Sequence, residues 1–168
     1  MAKKTAGSQR SGSTPATVAL RAMGIAFSER SYAHDPAVTD FGGEAARALG
    51  VAPERVFKTL LANVDGALAV AIVPVAGTLD LKALAAALGG KRAAMADPAM
   101  AERRTGYVVG GMSPLGQRSR LRTVLDASAM AHATVLVSGG RRGLDLELRP
   151  DDLLQATSSV LAEIGRVG

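Results

Sequence analysis

Apolar and polar positions change their spacing several times along the chain, and each change marks an element. After Ser13-Thr14-Pro15 the pattern is helical up to Gly24, with Thr14 suited to the N-cap and Pro15 to the first helical position. Residues 25–32 read as a strand, His34-Asp35-Pro36 as a turn, and 43–49 as a short helix stopped by Gly50. Two β-rich runs, 56–64 and 67–74, flank Asp65-Gly66, the pair a tight primed turn favours, and predict a hairpin. Leu81, Leu84, Ala85 and Leu88 repeat at i, i+3, i+4 and i+7, which predicts a helix over 80–88 ended by Gly89-Gly90. Asp97-Pro98 opens another short helix by the same capping logic. Short strands are expected at 106–109, 123–126, 133–138 and 144–148. A closing helix is expected at 151–165, with Leu153, Thr157, Val160, Leu161 and Ile164 on one face. Residues 1–13 are expected to form a flexible basic tail. No repeat or linker divides residues 14–168, which are expected to form one mixed α/β domain.

Composition narrows the chemistry. A chain of 168 residues can bury a core without covalent staples. At 48% hydrophobic and 3% aromatic, that core is filled by aliphatic side chains. Without cysteine the protein has neither a disulfide nor a thiol nucleophile of its own. His34 and His132 share no metal-ligand spacing, so neither a zinc site nor another cofactor is expected. The net charge of +5 fits a polyanionic partner. The longest apolar run, 67–77, is too short to span a bilayer and contains a proline. The first residues lack the apolar region of a secretory signal, and a cytoplasmic location is the expectation.

Four features carry candidate chemistry. Lys58 interrupts an apolar strand; either its ammonium reaches back to water, or it points into a pocket and donates to a phosphate or carbonyl oxygen. The stretch 105–116 places three glycines and a proline within residues 110–116, which makes either a structural turn or a row of backbone N–H groups around an oxyanion. It matches neither a Walker loop nor a dinucleotide fingerprint. In the hairpin at 137–148, Asp145 and Glu147 share one face, as an acid/base pair or as an exposed strand face. Arg118, Arg120 and Arg122, with Arg141 and Arg142, are either scattered surface charges or a basic stripe for phosphates.

Taken in order, TPA (14–16), YAHDP (32–36), FGGEAARALG (41–50), VFKTLL (56–61), PVAGTLDLKALAAALG (74–89), MADP (95–98), TGYVVGGMSPLG (105–116) and VSGGRRGLDLEL (137–148) resemble the YbaK/EbsC proteins. These are bacterial Cys-tRNA(Pro) deacylases related to the editing domain inserted in prolyl-tRNA synthetases. The resemblance covers about 14–165. It implies a mixed sheet curled into a partly closed, barrel-like core flanked by helices, and trans-editing of mischarged tRNA, alone or with prolyl-tRNA synthetase as partner.

By matching motifs, Lys58 corresponds to the family's essential lysine, followed by Thr59, and Tyr32 and Phe41 to aromatic positions lining the site. Gly110, Gly111, Met112, Ser113 and Pro114 correspond to a GxxxP loop, with Met112 standing where a β-branched residue is expected. Ser138 and Asp145 match polar positions across the pocket. The family is thought to use the substrate's own cysteine thiol, which leaves as a thiolactone. On this reading Gly110 and Gly111 N–H groups bind the oxyanion, Lys58 holds the terminal adenosine or its phosphate, and Asp145 orients the amine or a sugar hydroxyl. The alternatives are water-driven cleavage of another mischarged substrate such as Ala-tRNA(Pro), a non-catalytic tRNA- or synthetase-binding module, and a small-nucleotide binder.

Overall fold

The computed structural model describes residues 13–167; the tail expected at 1–13, apart from Ser13, lies outside them. Helix α1 spans Pro15–Ala22 and starts as the sequence requires, with the Thr14 and Thr17 side chains each accepting from the other's backbone N–H. Thr14 also donates to the Gly139 carbonyl, so the cap fastens the helix to the sheet it covers. Strand β1 is short, Ser28–Ser31, and α2 runs Phe41–Leu49 from an Asp40 cap to Gly50 in the left-handed region. A 3-10 turn at Pro53–Arg55 leads into β2 (Phe57–Val64), which pairs along its full length with β3 (Ala67–Pro74). Asp65 and Gly66 take φ of 50° and 88°, the primed turn expected between them.

Then come β4 (Gly77–Leu79), α3 (Leu81–Ala87), β5 (Ala93–Met95), α4 (Pro98–Thr105) and β6 (Arg122–Asp126). After a 3-10 turn the hairpin β7 (Val135–Arg141) and β8 (Leu144–Leu148) precedes α5 (Pro150–Thr157), β9 (Val160–Ala162) and β10 (Gly165–Val167). The main sheet has the order β5-β2-β3-β6-β9, with β6 parallel to both β3 and β9. A second sheet is β1-β8-β7, and a small third one is β10-β4.

Both faces of β2 and β3 are buried, which explains their near-continuous apolar runs. Phe57, Leu61, Val70 and Ile72 face one core with α1 and the second sheet; Ala62, Val64, Ala71 and Val73 face another with Leu84 of α3 and Ile164. Burying a side chain such as Ile72 or Leu84 contributes about 1.5–3 kcal/mol. The five-stranded and three-stranded sheets meet at one parallel bridge, Val56 to Leu136. None of the three sheets closes on itself among the described residues, so the fold is mixed α/β without the expected barrel-like closure.

Two expected elements are replaced. No strand forms at 106–109: Gly106 caps α4 at φ 84°, and Val108 opens a turn that carries Gly110 at φ 89°. The closing helix stops at Thr157, where Ser158 turns left-handed and Ser158 and Ser159 donate back to Gln155 and Leu154. Beyond it, β-branched Val160 joins β9, and Asp126 accepts from the Ile164 and Gly165 N–H groups, holding the chain extended. Val160 and Leu161 consequently lie exposed rather than on a core-facing helix stripe.

Candidate active site

The site forms where β2 loses its neighbours on one edge. Val75 donates to the Val56 carbonyl on the β3 side, and Ala96 donates to the Leu61 carbonyl on the opposite side, at 2.8 and 3.0 Å. Peptide direction alternates along a strand, so odd-numbered residues of β2 aim their peptide groups away from β3. On that edge β5 pairs only with Ala62–Val64, and the backbone of β7 bridges only to Val56. Between them the Thr59 peptide faces a gap, and a cavity of about 360 Å³ opens there.

Lys58 and Thr59, on opposite faces of β2, both line this cavity. Lys58 is partly buried and has no carboxylate within 4.0 Å among the described residues. The Thr59 Oγ1 is buried with no hydrogen-bond partner there, a state that costs about 1–3 kcal/mol unless a ligand fills it. Across the cavity stand Tyr32, Ser138 and Asp145. Pairing of β8 with both neighbours sets Asp145 opposite Ser138 and opposite Arg30. Asp145 is 4% exposed, and burial pushes its carboxyl up to about 7, with the charge of Arg30 offsetting only part of the cost. Burial, and then the Asp145 charge, push the Tyr32 hydroxyl up to about 12, so it remains a donor.

The loop after α4 forms the third wall. Buried Tyr107 donates its hydroxyl to the Leu115 carbonyl and ties the loop at its base. At the tip, the Val109 peptide is held from both sides. Its N–H donates to Glu102 of α4 (2.8 Å), and its carbonyl accepts Nε and Nη2 of Arg142 at 3.0 and 2.6 Å. The Arg142 guanidinium also lies over the Phe41 ring, 4.9 Å from its centroid. A Cβ on Gly110 would come within 2.8 Å of Arg142 Nε and the Phe41 ring, and one on Gly111 within 2.7 Å of the Arg141 backbone. Both glycines are required by close approach.

Of the residues singled out in the sequence, Tyr32, Phe41, Lys58 and Thr59 share the cavity with Gly110, Met112, Ser138 and Asp145. Gly111, Ser113 and Pro114 do not line it. The Gly111 N–H is already donated to the Val108 carbonyl (2.9 Å), so the expected pairing of Gly110 and Gly111 around an oxyanion does not fit the geometry. In this loop, the cavity-lining N–H groups without a hydrogen bond among the described residues belong to Gly110 and Met112. Ser113 is fully buried and accepts from Leu115, while Pro114 borders a separate groove with Arg120 and Arg122. Arg118 stands at the end of α4, donating to the Arg103 carbonyl.

Arg142 holds the loop, and Arg141 has a buried Nη1 without a partner among the described residues. Glu147, expected to share a face with Asp145, binds Arg30, Arg55 and Thr134 instead. Sequence reasoning missed Glu102, Asp40 and Met95. Asp40 and Met95 line the cavity, and the capping position of Asp40 before Phe41 was the one available signal.

Residues 35–156 match the family model described as "Aminoacyl-tRNA editing domain". An Enterococcus faecalis protein, named "Putative Cys-tRNA(Pro)/Cys-tRNA(Cys) deacylase EbsC", is 40% identical over 121 residues, covering 71% of this chain and 73% of that protein. The crystal structure of "a putative trans-editing enzyme for prolyl tRNA synthetase" superposes with a TM-score of 0.79 at 25% identity, over 92% of this chain and 98% of that one. The hypothetical protein APE2540 gives a TM-score of 0.82 at 26% identity, over 91% and 100%.

Proposed function

We propose that this chain, which belongs to the aminoacyl-tRNA editing domain family, is a deacylase that removes cysteine from mischarged Cys-tRNA(Pro). One observation carries the reading. A single cavity is lined by an unpaired ammonium, a buried unpartnered hydroxyl, a glycine tip with available N–H groups and a carboxyl that titrates near neutrality. That set matches the parts of an aminoacylated 3′ end: phosphate or ribose, ester carbonyl, and α-ammonium.

In this mechanism Lys58 holds the terminal phosphate or ribose, and Thr59 Oγ1, from the other face of β2, donates to a separate polar group of the substrate. Asp145, once ionised, accepts from the substrate ammonium, whose charge draws the carboxyl back toward its ordinary range. The N–H groups of Gly110 and Met112 receive the carbonyl oxygen as charge develops on it. The cysteine Sγ attacks its own carbonyl carbon and the ester C–O bond breaks. The thiol proton ends on the ribose oxygen, and cysteine leaves as a thiolactone. This route asks no thiol of a chain that has no cysteine. Positioning two groups of one substrate is the main contribution required of the protein.

Deacylation of Cys-, Ser-, Ala- and Pro-tRNA(Pro), together with Cys-tRNA(Cys), tests the reading. Rapid release is expected from cysteinyl substrates, loss of turnover when serine replaces cysteine, and thiolactone as the first product. Turnover of Ala-tRNA(Pro) at the same rate would sink the thiol route and leave a water-driven deacylase.

A further inference from the structure

The arginines of this protein separate into two populations. Arg21, Arg30, Arg47, Arg55, Arg149 and Arg166 each pair with a carboxylate. Between residues 92 and 142 no arginine does, among the described residues. Arg141 and Arg142 back the loop that walls the cavity, but Arg103, Arg104, Arg118, Arg120 and Arg122 are all exposed and gather elsewhere.

Their gathering is built by the backbone. Arg118 and Ser119 donate their N–H groups to the Thr105 and Arg104 carbonyls at 2.9 and 3.0 Å, fastening the 117–122 segment to the last turn of α4. Arg104 Nε reaches Ser119 Oγ (3.2 Å), and Arg122 Nη1 reaches the Leu88 carbonyl (3.2 Å), leaving their remaining donors outward. Beside them lies a groove of about 440 Å³, bordered by Arg120, Arg122, Ser119, Gln117, Thr157 and Ser158. These donors share the lining with apolar side chains such as Met23 and Leu121, and no carboxylate borders it among the described residues.

The groove and the cavity share a wall. Gly110 and Met112 line the cavity, while Pro114 and Gly116 of the same loop border the groove. Helix α4 makes the second link, with Pro98 and Ala101 at the cavity and Arg103 and Arg104 at its far end. A helix of eight residues spans about 12 Å, a short step for a nucleic-acid strand.

We infer that this groove and the arginines at the end of α4 form a landing surface for the sugar-phosphate backbone of the RNA whose 3′ end enters the cavity. The inference rests on the proposed editing function for its partner. Concentrated unpaired guanidinium groups recognise phosphates by charge and by paired N–H donors, without reading bases. The surface therefore supplies affinity, and the cavity supplies selection for the amino acid.

The test measures binding of uncharged tRNA, which has no ester to cleave, across a salt series. Arg103→Ala/Arg120→Ala is the variant of choice, because neither side chain makes a hydrogen bond within the described residues. Affinity at 0.1 M salt should drop on the order of tenfold or more, and the slope of log K against log salt should shrink by about 1.5. Arg149→Ala/Arg166→Ala, the same charge change elsewhere at arginines that each pair with a carboxylate, should stay within about twofold. An unchanged urea midpoint for the double variant would separate lost contacts from lost fold. Wild-type affinity and slope in the double variant would overturn the surface, as would lost capture of prolyl-tRNA synthetase with RNA binding intact. Failure of the editing reading would register separately, as absent deacylation with the binding pattern preserved.

Discussion

Asp145→Asn should change how stability depends on pH, in a direction that the burial of Asp145 dictates. The carboxyl moves from an ordinary 3.8 to about 7 in the folded protein because desolvation outweighs the attraction of Arg30. Between those values the folded chain keeps a proton that the unfolded chain has released, so rising pH destabilises the fold across about 4 to 7. Below that window both states are protonated and nothing is lost; above it the loss is complete. At about 1.36 kcal/mol per unit, the cost amounts to about 2 kcal/mol at pH 5 and about 4 kcal/mol at pH 8. Asparagine keeps the shape and removes the charge. Urea unfolding of both proteins at pH 5 and pH 8 therefore provides a clean double difference, in which every other titrating group cancels. The variant should gain about 2–3 kcal/mol on wild type between the two pH values. A gap that stays constant, or moves in favour of wild type as pH rises, would refute the argument that Asp145 is held against its solvation.

Other outcomes depend on the same walls. Lys58→Ala should abolish deacylation and Lys58→Arg should retain part of it, with both proteins folded by circular dichroism; wild-type rates in Lys58→Ala would remove the lysine from the mechanism. The kcat/KM for Cys-tRNA(Pro) should fall as pH drops through about 7, where Asp145 protonates, and a pH–rate series should show that limb flattened in Asp145→Asn. Arg142→Ala deletes two hydrogen bonds and a ring contact at an exposed site, so stability should fall by only about 1 kcal/mol, read by urea unfolding. The loop tip is then held from one side, and kcat should fall about tenfold, with Glu102→Gln retaining more activity than Arg142→Ala because its amide still accepts from Val109. Gly111→Ala drives a Cβ against the Arg141 backbone and should cost about 1–3 kcal/mol in the same unfolding assay.

Local rules made much of the fold legible. The Thr14-Pro15 start, the Asp65-Gly66 turn and the helical repeat from Leu81 to Leu88 each describe a few adjacent residues, and each stands where it was expected. The failures lie where a distant partner decides. Residues 158–165 carry apolar spacing that suits a helix, yet Asp126, far away in sequence, captures the Ile164 and Gly165 N–H groups and β6 offers an edge. Three-residue strands such as β4 and β5 have too few positions to show any period.

The site follows the same division, with one difference in kind. Lys58 and Asp145 were visible because each is a charge in an apolar strand, a local contradiction that burial must resolve. Glu102 and Arg142 carried no such contradiction: both are charged residues in polar surroundings, and their spacing fits an ordinary exposed face. Their importance arises from the third residue they share. Val109 offers one N–H and one carbonyl on opposite sides of a glycine tip, and each needs a partner from a different element. The proposed oxyanion site, made of backbone groups, requires a backbone that is held still, so in that proposal the two charges stand behind the chemistry without touching substrate. The arginine at 142, expected among phosphate contacts, is thereby reassigned by a carbonyl rather than by any feature of its own sequence. A phosphate role for it would require releasing Val109, and the loop would then lose the geometry that the proposed mechanism needs.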